Sequence, residues 1–353
     1  HLKGTCMQVF TDEFSWLLEG LPTYTLLHEK GMRLYNLGAL KHAEQFLQLP
    51  ATTGNADAQF ALADIIEHTP SENSNQITTL KQQIERILQI DRPGEFYSQL
   101  VARATQLIET LEDNQKARYM PLYEASAEQG NIDAMLRLRG DAWEASAHRQ
   151  LESGVRNHDP EAILNMYALT RDLAWLKHAA ATGHAIAQYL LATLYDKDPA
   201  LVTDGADPRD TVYELITRSA NGGYPPAMYW YANHIENRNN FAFIQQWRIR
   251  EAQAGSINAV QRYGLALTGM DSDETHNDTL SGSEADYVKG YALLWLVHQI
   301  KGRGHNPYSI PDKLAHIESE LSTEQIAAAK RAAHEWHQQY PLLSEFRLRT
   351  CLR

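Results

Sequence analysis

The chain has 353 residues, an apolar fraction of 43% and a formal net charge of −12. That length and apolar share fit two ordinary domains or one elongated repeat array, and argue against global disorder. The acidic balance, with no run of Lys or Arg, argues against nucleic-acid binding. No apolar stretch reaches the roughly 20 residues that a membrane-spanning helix needs.

The chain begins His1-Leu2-Lys3 without Met, which fits a processed form or a trimmed chain, removal of a signal peptide being one route to it. A periplasmic location follows as an expectation, with the cytoplasm as the alternative. The two cysteines, Cys6 and Cys351, match no metal or redox spacing. They are two unpaired thiols, or a bridge if the array curls enough to bring its ends together.

From residue 41 onward one pattern recurs: a small residue, Gly three residues later, Ala four after that, then an apolar helix. It occurs at Ala51/Gly54/Ala58, Ala127/Gly130/Ala134, Ala180/Gly183/Ala187, Ala220/Gly223/Ala227 and Ala252/Gly255/Ala259. A degenerate copy runs from His158 to Ala162, with His158 in place of Gly. The Gly ends one helix in the left-handed conformation. Asp57, Asp133 and Asn258 are expected to cap the next helix, and Pro225 and Pro226 suit its first turn. Before each Gly the spacing predicts a second amphipathic helix: Lys41–Gln48, Tyr119–Glu128, Leu173–Ala181, Thr211–Ala220 and Phe241–Ala254.

The Ala anchors at 58, 134, 162, 187, 227 and 259 are separated by 76, 28, 25, 40 and 32 residues. The shorter gaps bracket the roughly 34 residues of a tetratricopeptide hairpin. The long gap predicts an insertion: a polar loop Thr69–Asn75, then helices Gln76–Ile90 and Gly94–Glu112. The expected organisation is N-terminal helices and a first repeat over 1–68, the insertion over 69–118, the repeat array over 119–336 and a C-terminal tail over 337–353. The polar stretch Gly269–Asp286 is longer than a hairpin turn, and loops of that length are functional or disordered.

These anchors, with Trp175-Leu-Lys-His-Ala-Ala180, resemble the bacterial Sel-one-like repeat, a relative of the tetratricopeptide repeat. Glu284–Trp295 and Leu321–Trp336 resemble a further repeat helix and the helix that closes such arrays. The resemblance covers about 41–58 and 119–336. It implies an all-α, right-handed α-α superhelix (solenoid) of tandem helical hairpins, a protein-binding role and no shared catalytic residues.

Motifs for chemistry are sparse. His334-Glu-Trp-His337 lacks the spacing of a zinc-protease helix, and the stretch from Asp271 lacks the Gly and Glu of a calcium loop. No nucleophile elbow, phosphate loop or dinucleotide fingerprint occurs. No enzyme activity, metal or cofactor is expected, and no small-molecule substrate. The partner is another protein, which the acidic surface would favour if it is basic.

Aligned on their Ala, the helices place a core stripe at the fourth and eighth residues beyond it. The third, sixth and tenth vary in chemistry and are expected to face a partner. Those columns select Arg137, Leu190, Trp230, Asn233, Asn237 and Arg262, with Trp230 as the anchor and His234 near it. The competing reading packs Trp230 against a neighbouring helix. Relatives of this kind often accompany type VI lipase effectors, so the resemblance suggests an immunity protein. A scaffold or adaptor in envelope export or signalling is the alternative, and an enzyme is a third class.

Overall fold

The computed structural model describes residues 23–69, 73–89, 94–203, 205–234, 240–270, 286–301 and 310–342. Cys6, Cys351, Asn237 and Asp271 lie outside them, as does nearly all of the 269–286 stretch. Among the described residues the chain is all α, without strands. It forms tandem helical hairpins grouped in two units: a smaller one, Gly20–Tyr35 with Leu40–Ala147, and a larger one that includes His148–Arg353.

The smaller unit holds α1 (Thr23–Asn36), α2 (Leu40–Thr52), α3 (Ala56–His68), α4 (Ser74–Leu88), α5 (Glu95–Glu128) and α6 (Ile132–Leu138). Leu27 and Leu34 of α1 are buried with Phe46, Leu47 and Ala51 of α2. A Cβ on Gly31 would lie 2.6 Å from a Leu47 methyl, so α1 and α2 can cross only where that side chain is missing. The inserted hairpin is α4 and the first part of α5. The latter continues unbroken through Pro121 into the helix expected over Tyr119–Glu128. Leu88, Phe96, Tyr97, Leu100 and Leu107 of this hairpin remain exposed.

The division between units falls inside α7 (Asp141–Arg156). The larger unit continues with α8 (Pro160–Thr170), α9 (Leu173–Ala181), α10 (Ala185–Lys197), a 3-10 turn Pro199–Leu201, α11 (Pro208–Asn221), α12 (Pro225–Ala232), α13 (Phe241–Gln253) and α14 (Ile257–Leu267). It closes with α15 (Tyr287–Lys301), α16 (Ile310–Glu320) and α17 (Thr323–Gln339). Helix α17 opens with a reciprocal Ser322–Gln325 capping box. Gly264 and Gly290 set the crossing of α14 and α15: a Cβ on Gly290 would sit 2.4 Å from the Thr268 methyl and 3.0 Å from the Gly264 carbonyl.

One turn recurs in all six copies of the motif. The Gly N–H bonds the carbonyl three residues back, and the next N–H bonds the carbonyl five back, as in Gly183 to Ala180 and His184 to Ala179. Gly54, Gly130, Gly183, Gly223 and Gly255 all have φ between +91° and +92°, and His158 takes φ +56° in the degenerate copy. This is a double-bonded helix C-cap, which needs the left-handed conformation. The next helix is capped one residue later than the Gly, by Asn55, Asn131, Asp159, His184 or Ser256. The expectation that Asp57, Asp133 and Asn258 cap is therefore corrected. The double bond already extends the chain directly after the Gly, so the cap position comes there. Asp57 and Asp133 instead stand in the first turn, where their charge complements the helix dipole.

Two side-chain bonds repeat as well. Gln59 donates to the Ala51 carbonyl at 3.2 Å, and Gln188 to the equivalent Ala180 carbonyl at 3.1 Å. Ser126 and Ser219, each four residues before its Gly, donate to the carbonyls of Ala56 and Ala185 at 2.7 and 2.6 Å. They tie one hairpin to the start of the preceding second helix.

Candidate partner-binding face

The helix before each turn has a core position seven residues upstream of the Gly. It is Leu47, Tyr123, Leu176 and Ile216 in four copies and Leu151 in the degenerate one, all fully buried. The fifth full copy has Arg248 there, 6% exposed. The small position four upstream is Pro50, Ser126, Ala179 and Ser219, again buried. The fifth copy has Glu251, 4% exposed. An ion pair thus replaces two core residues in one repeat, with a desolvation cost that the other copies avoid at these two positions.

Helices α12, α13 and α14 build the surroundings. One Arg248 terminal nitrogen donates to Glu251 at 3.4 Å and the other to the Asn233 side-chain oxygen at 2.7 Å. Asn233 in turn donates to the Tyr229 carbonyl at 2.7 Å. One Arg262 terminal nitrogen donates to both Glu251 oxygens at 3.2 and 3.3 Å, and Ser256 donates to Glu251 at 3.2 Å. The Arg248 and Arg262 guanidinium carbons lie 4.3 and 5.2 Å from the centre of the Tyr229 ring, which is 41% exposed. Burial pushes the Glu251 carboxyl above its usual range, against the pull of Arg262 and Arg248 toward the ionised form.

Trp230 faces elsewhere on α12. It is half-buried against the Ile163–Ile216 core cluster and stacks on His234, with centroids 4.9 Å apart and planes 29° apart. The His234 ring also meets Tyr213 at 4.6 Å. Both expected environments of Trp230, packing and partial exposure, are therefore present. The structure brings Trp230 together with His234, and Asn233 together with Arg262 through Arg248, Glu251 and Tyr229.

Two expectations need correction. Leu190 is 5% exposed, inside the same core cluster as Trp230's neighbours, and does not face outward. In the columns that were to be solvent-facing, Ala61, Asp64 and Leu265 are buried too. The reason is geometric: a helix in the array packs on its own hairpin partner and on the next hairpin, as α10 does on α9 and α11. Its buried arc is wider than one stripe.

Arg137 lies in the smaller unit and is already engaged. It grips Glu67 with two nitrogens at 2.5 and 2.9 Å. Tyr123 donates to Glu67 at 2.9 Å, Tyr35 donates to Asp64 at 2.6 Å, and His68 meets Asp64 at 3.0 Å. The Asp64 hydrogen bond is the main influence raising the His68 pKa. Burial, reinforced by Asp64 and Glu67, pushes the Tyr123 hydroxyl up, so it acts as a neutral donor. Metal-type donor atoms of Asp64, Glu67 and His68 lie within 4.8 Å of one another, a convergence the spacing argument did not foresee. Their oxygens are taken up by Tyr35, Tyr123 and Arg137, so the cluster reads as a hydrogen-bonded clasp.

Sequence reasoning missed Tyr229, Arg248 and Glu251. Arg248 and Glu251 stand upstream of Gly255, whereas the variable columns lie downstream of each Ala. Aligning the helices upstream of the Gly would have set Arg248 beside Leu47, Tyr123, Leu176 and Ile216.

No family model matches the chain, and no curated protein does. Among solved structures it is similar to the Pseudomonas aeruginosa protein PA5086, at 15% identity with a TM-score of 0.34, over 70% of this chain and 91% of that one. It is also similar to c5321, described as a protective antigen of uropathogenic Escherichia coli strains displaying an SLR fold. Identity there is 15% and the TM-score 0.25, over 90% of this chain and 84% of that one. At that similarity neither structure bears on what this chain binds. The helical-repeat architecture stands on the hairpins and turns described above. No helix among the described residues is long and apolar enough to cross a membrane.

Proposed function

We propose that this chain is a non-catalytic protein-binding repeat protein whose partner seats on the α12–α14 face. The observation that carries the reading is the exposed Tyr229 ring held against Arg248 and Arg262, at positions where the Gly183 repeat buries Leu176 and Leu190. Tyr, Trp and Arg dominate interface hot spots, and a rigid aromatic costs little entropy to immobilise. Within that class we favour an immunity or inhibitor protein that occludes a secreted effector, of the type VI lipase type. The support is the resemblance of its repeats to Sel-one-like proteins and an acidic surface suited to a basic partner.

Affinity capture from the source organism tests the reading. An effector should be retained by the wild-type chain and lost with Tyr229→Ala or Trp230→Ala. Truncating a hot-spot residue costs about 2 kcal/mol or more, which is roughly a thirtyfold loss of affinity. Trp230 is half-buried, so its Ala variant should also lose about 1 kcal/mol of stability. A sharp fall in melting temperature with affinity unchanged would make Trp230 a core residue only. Retention of an export component in place of an effector would favour the scaffold reading.

A further inference from the structure

We propose that Arg248, Arg262 and Tyr229 form a carboxylate pocket that takes one Asp or Glu side chain from an acidic segment of the protein partner. This deepens the binding reading above and rests on it.

Charge and donors are both left over in this cluster. Two guanidiniums share a single carboxylate, Glu251, so the group carries one net positive charge inside a chain of formal charge −12. The Nε atoms of Arg248 and Arg262 are buried without a hydrogen-bond partner. Arg248 spends its terminal nitrogens on Glu251 and Asn233, whereas Arg262 spends one on Glu251. A buried donor without an acceptor is costly, and a buried unmatched charge more so. Tyr229 offsets part of that cost through its ring face. A second carboxylate would complete the balance of two cations and two anions.

The side from which it would arrive follows from exposure. Arg248 and Glu251 are enclosed, but the Arg262 side chain is 29% exposed and lies beside the exposed Tyr229 ring. A guanidinium presents a planar fork that matches the two oxygens of a carboxylate. At the Arg248 and Glu251 positions the other copies carry Leu, Tyr, Ile, Pro, Ser, Ala or Gly and fold with the same turn, so the turn does not require this ion group. The acidic surface would draw a basic partner at long range, and this pocket would then fix its register by reading one acidic side chain.

The probe is a fluorescein-labelled octaglutamate peptide, followed by anisotropy at low salt. Bulk repulsion from a −12 chain opposes this peptide, so binding reports the local pocket. The wild-type chain should bind it and ignore an octaglutamine peptide. Arg262→Gln should weaken binding about tenfold, while Arg209→Gln, on an exposed part of α11, should leave it unchanged. Glu251→Gln should strengthen it severalfold by removing the internal competitor, an effect a purely structural role would not produce. Melting curves confirm that each variant is folded. Glutarate should displace the peptide better than inorganic phosphate at equal concentration. No binding by the wild-type chain, equal binding by Arg262→Gln, or stronger displacement by phosphate would overturn the proposal. A captured partner lost with Trp230→Ala but indifferent to Arg262→Gln would overturn the pocket alone and leave the binding reading standing.

Discussion

The repeats turning at Gly183 and Gly255 share a backbone and differ in their interior. Both turns have φ near +92° and the same pair of carbonyl bonds. Leu176, Ala179 and Leu190 fill three positions of the first, all buried. Arg248, Glu251 and Arg262 fill the equivalent positions of the second and form an ion network under Tyr229. The lesson is that the Gly and Ala anchors set the hairpin, and the interior chemistry between them is free to change. In one repeat it is spent on packing, and in the other on holding two cations beside an exposed ring.

The largest expected effect breaks the network from within. Glu251→Ala leaves the buried Arg248 and the half-buried Arg262 without their shared carboxylate and should cost about 3–5 kcal/mol, read by denaturant unfolding. A loss near that of a surface substitution would mean the pair is solvated and the comparison fails. Converting the second repeat to the chemistry of the first, with Arg248→Leu, Glu251→Ala and Arg262→Leu together, has a different expected outcome. Stability should hold or rise by about 1–4 kcal/mol, with the octaglutamate peptide no longer bound. Strong destabilisation of this triple variant would show that the backbone does depend on the ion group.

A smaller effect sharpens what the repeats have in common. Ser126→Ala and Ser219→Ala each remove one bond to the preceding hairpin and should each cost about 1 kcal/mol, measured as matched shifts in unfolding midpoint. The smallest effect is a pH dependence. The folded state raises the Glu251 pKa, mainly through burial, so it binds this proton more tightly than the unfolded chain does. The stability contributed by that proton is complete below the unfolded value and is lost as pH rises through the folded one. The wild-type melting temperature, compared with that of Glu251→Gln, should therefore drop across that window on the alkaline side. No pH-dependent difference between the two would contradict the raised pKa.

The sequence by itself determined the repeating unit. Gly at a helix end and Ala at a close approach are local steric requirements, and they repeat visibly along the chain. Even His158 could be assigned the role of Gly, and it adopts the left-handed conformation. Asp91-Arg-Pro93, outside the described residues, is the signal by which the sequence separates α4 from α5, whereas the continuity of α5 through Pro121 is not legible, because neighbouring helices decide whether a Pro ends a helix. Tertiary structure alone decided which faces are buried. Each helix packs on two sides, so a column such as Ala61, Leu190 and Arg262 passes from core to surface between repeats, and periodicity in one helix cannot register its second neighbour. The pairing of Arg248 with Arg262 around Glu251 belongs to that level too. It depends on α13 and α14 folding back on each other across the Gly255 turn, which brings together charges that the chain order only lists.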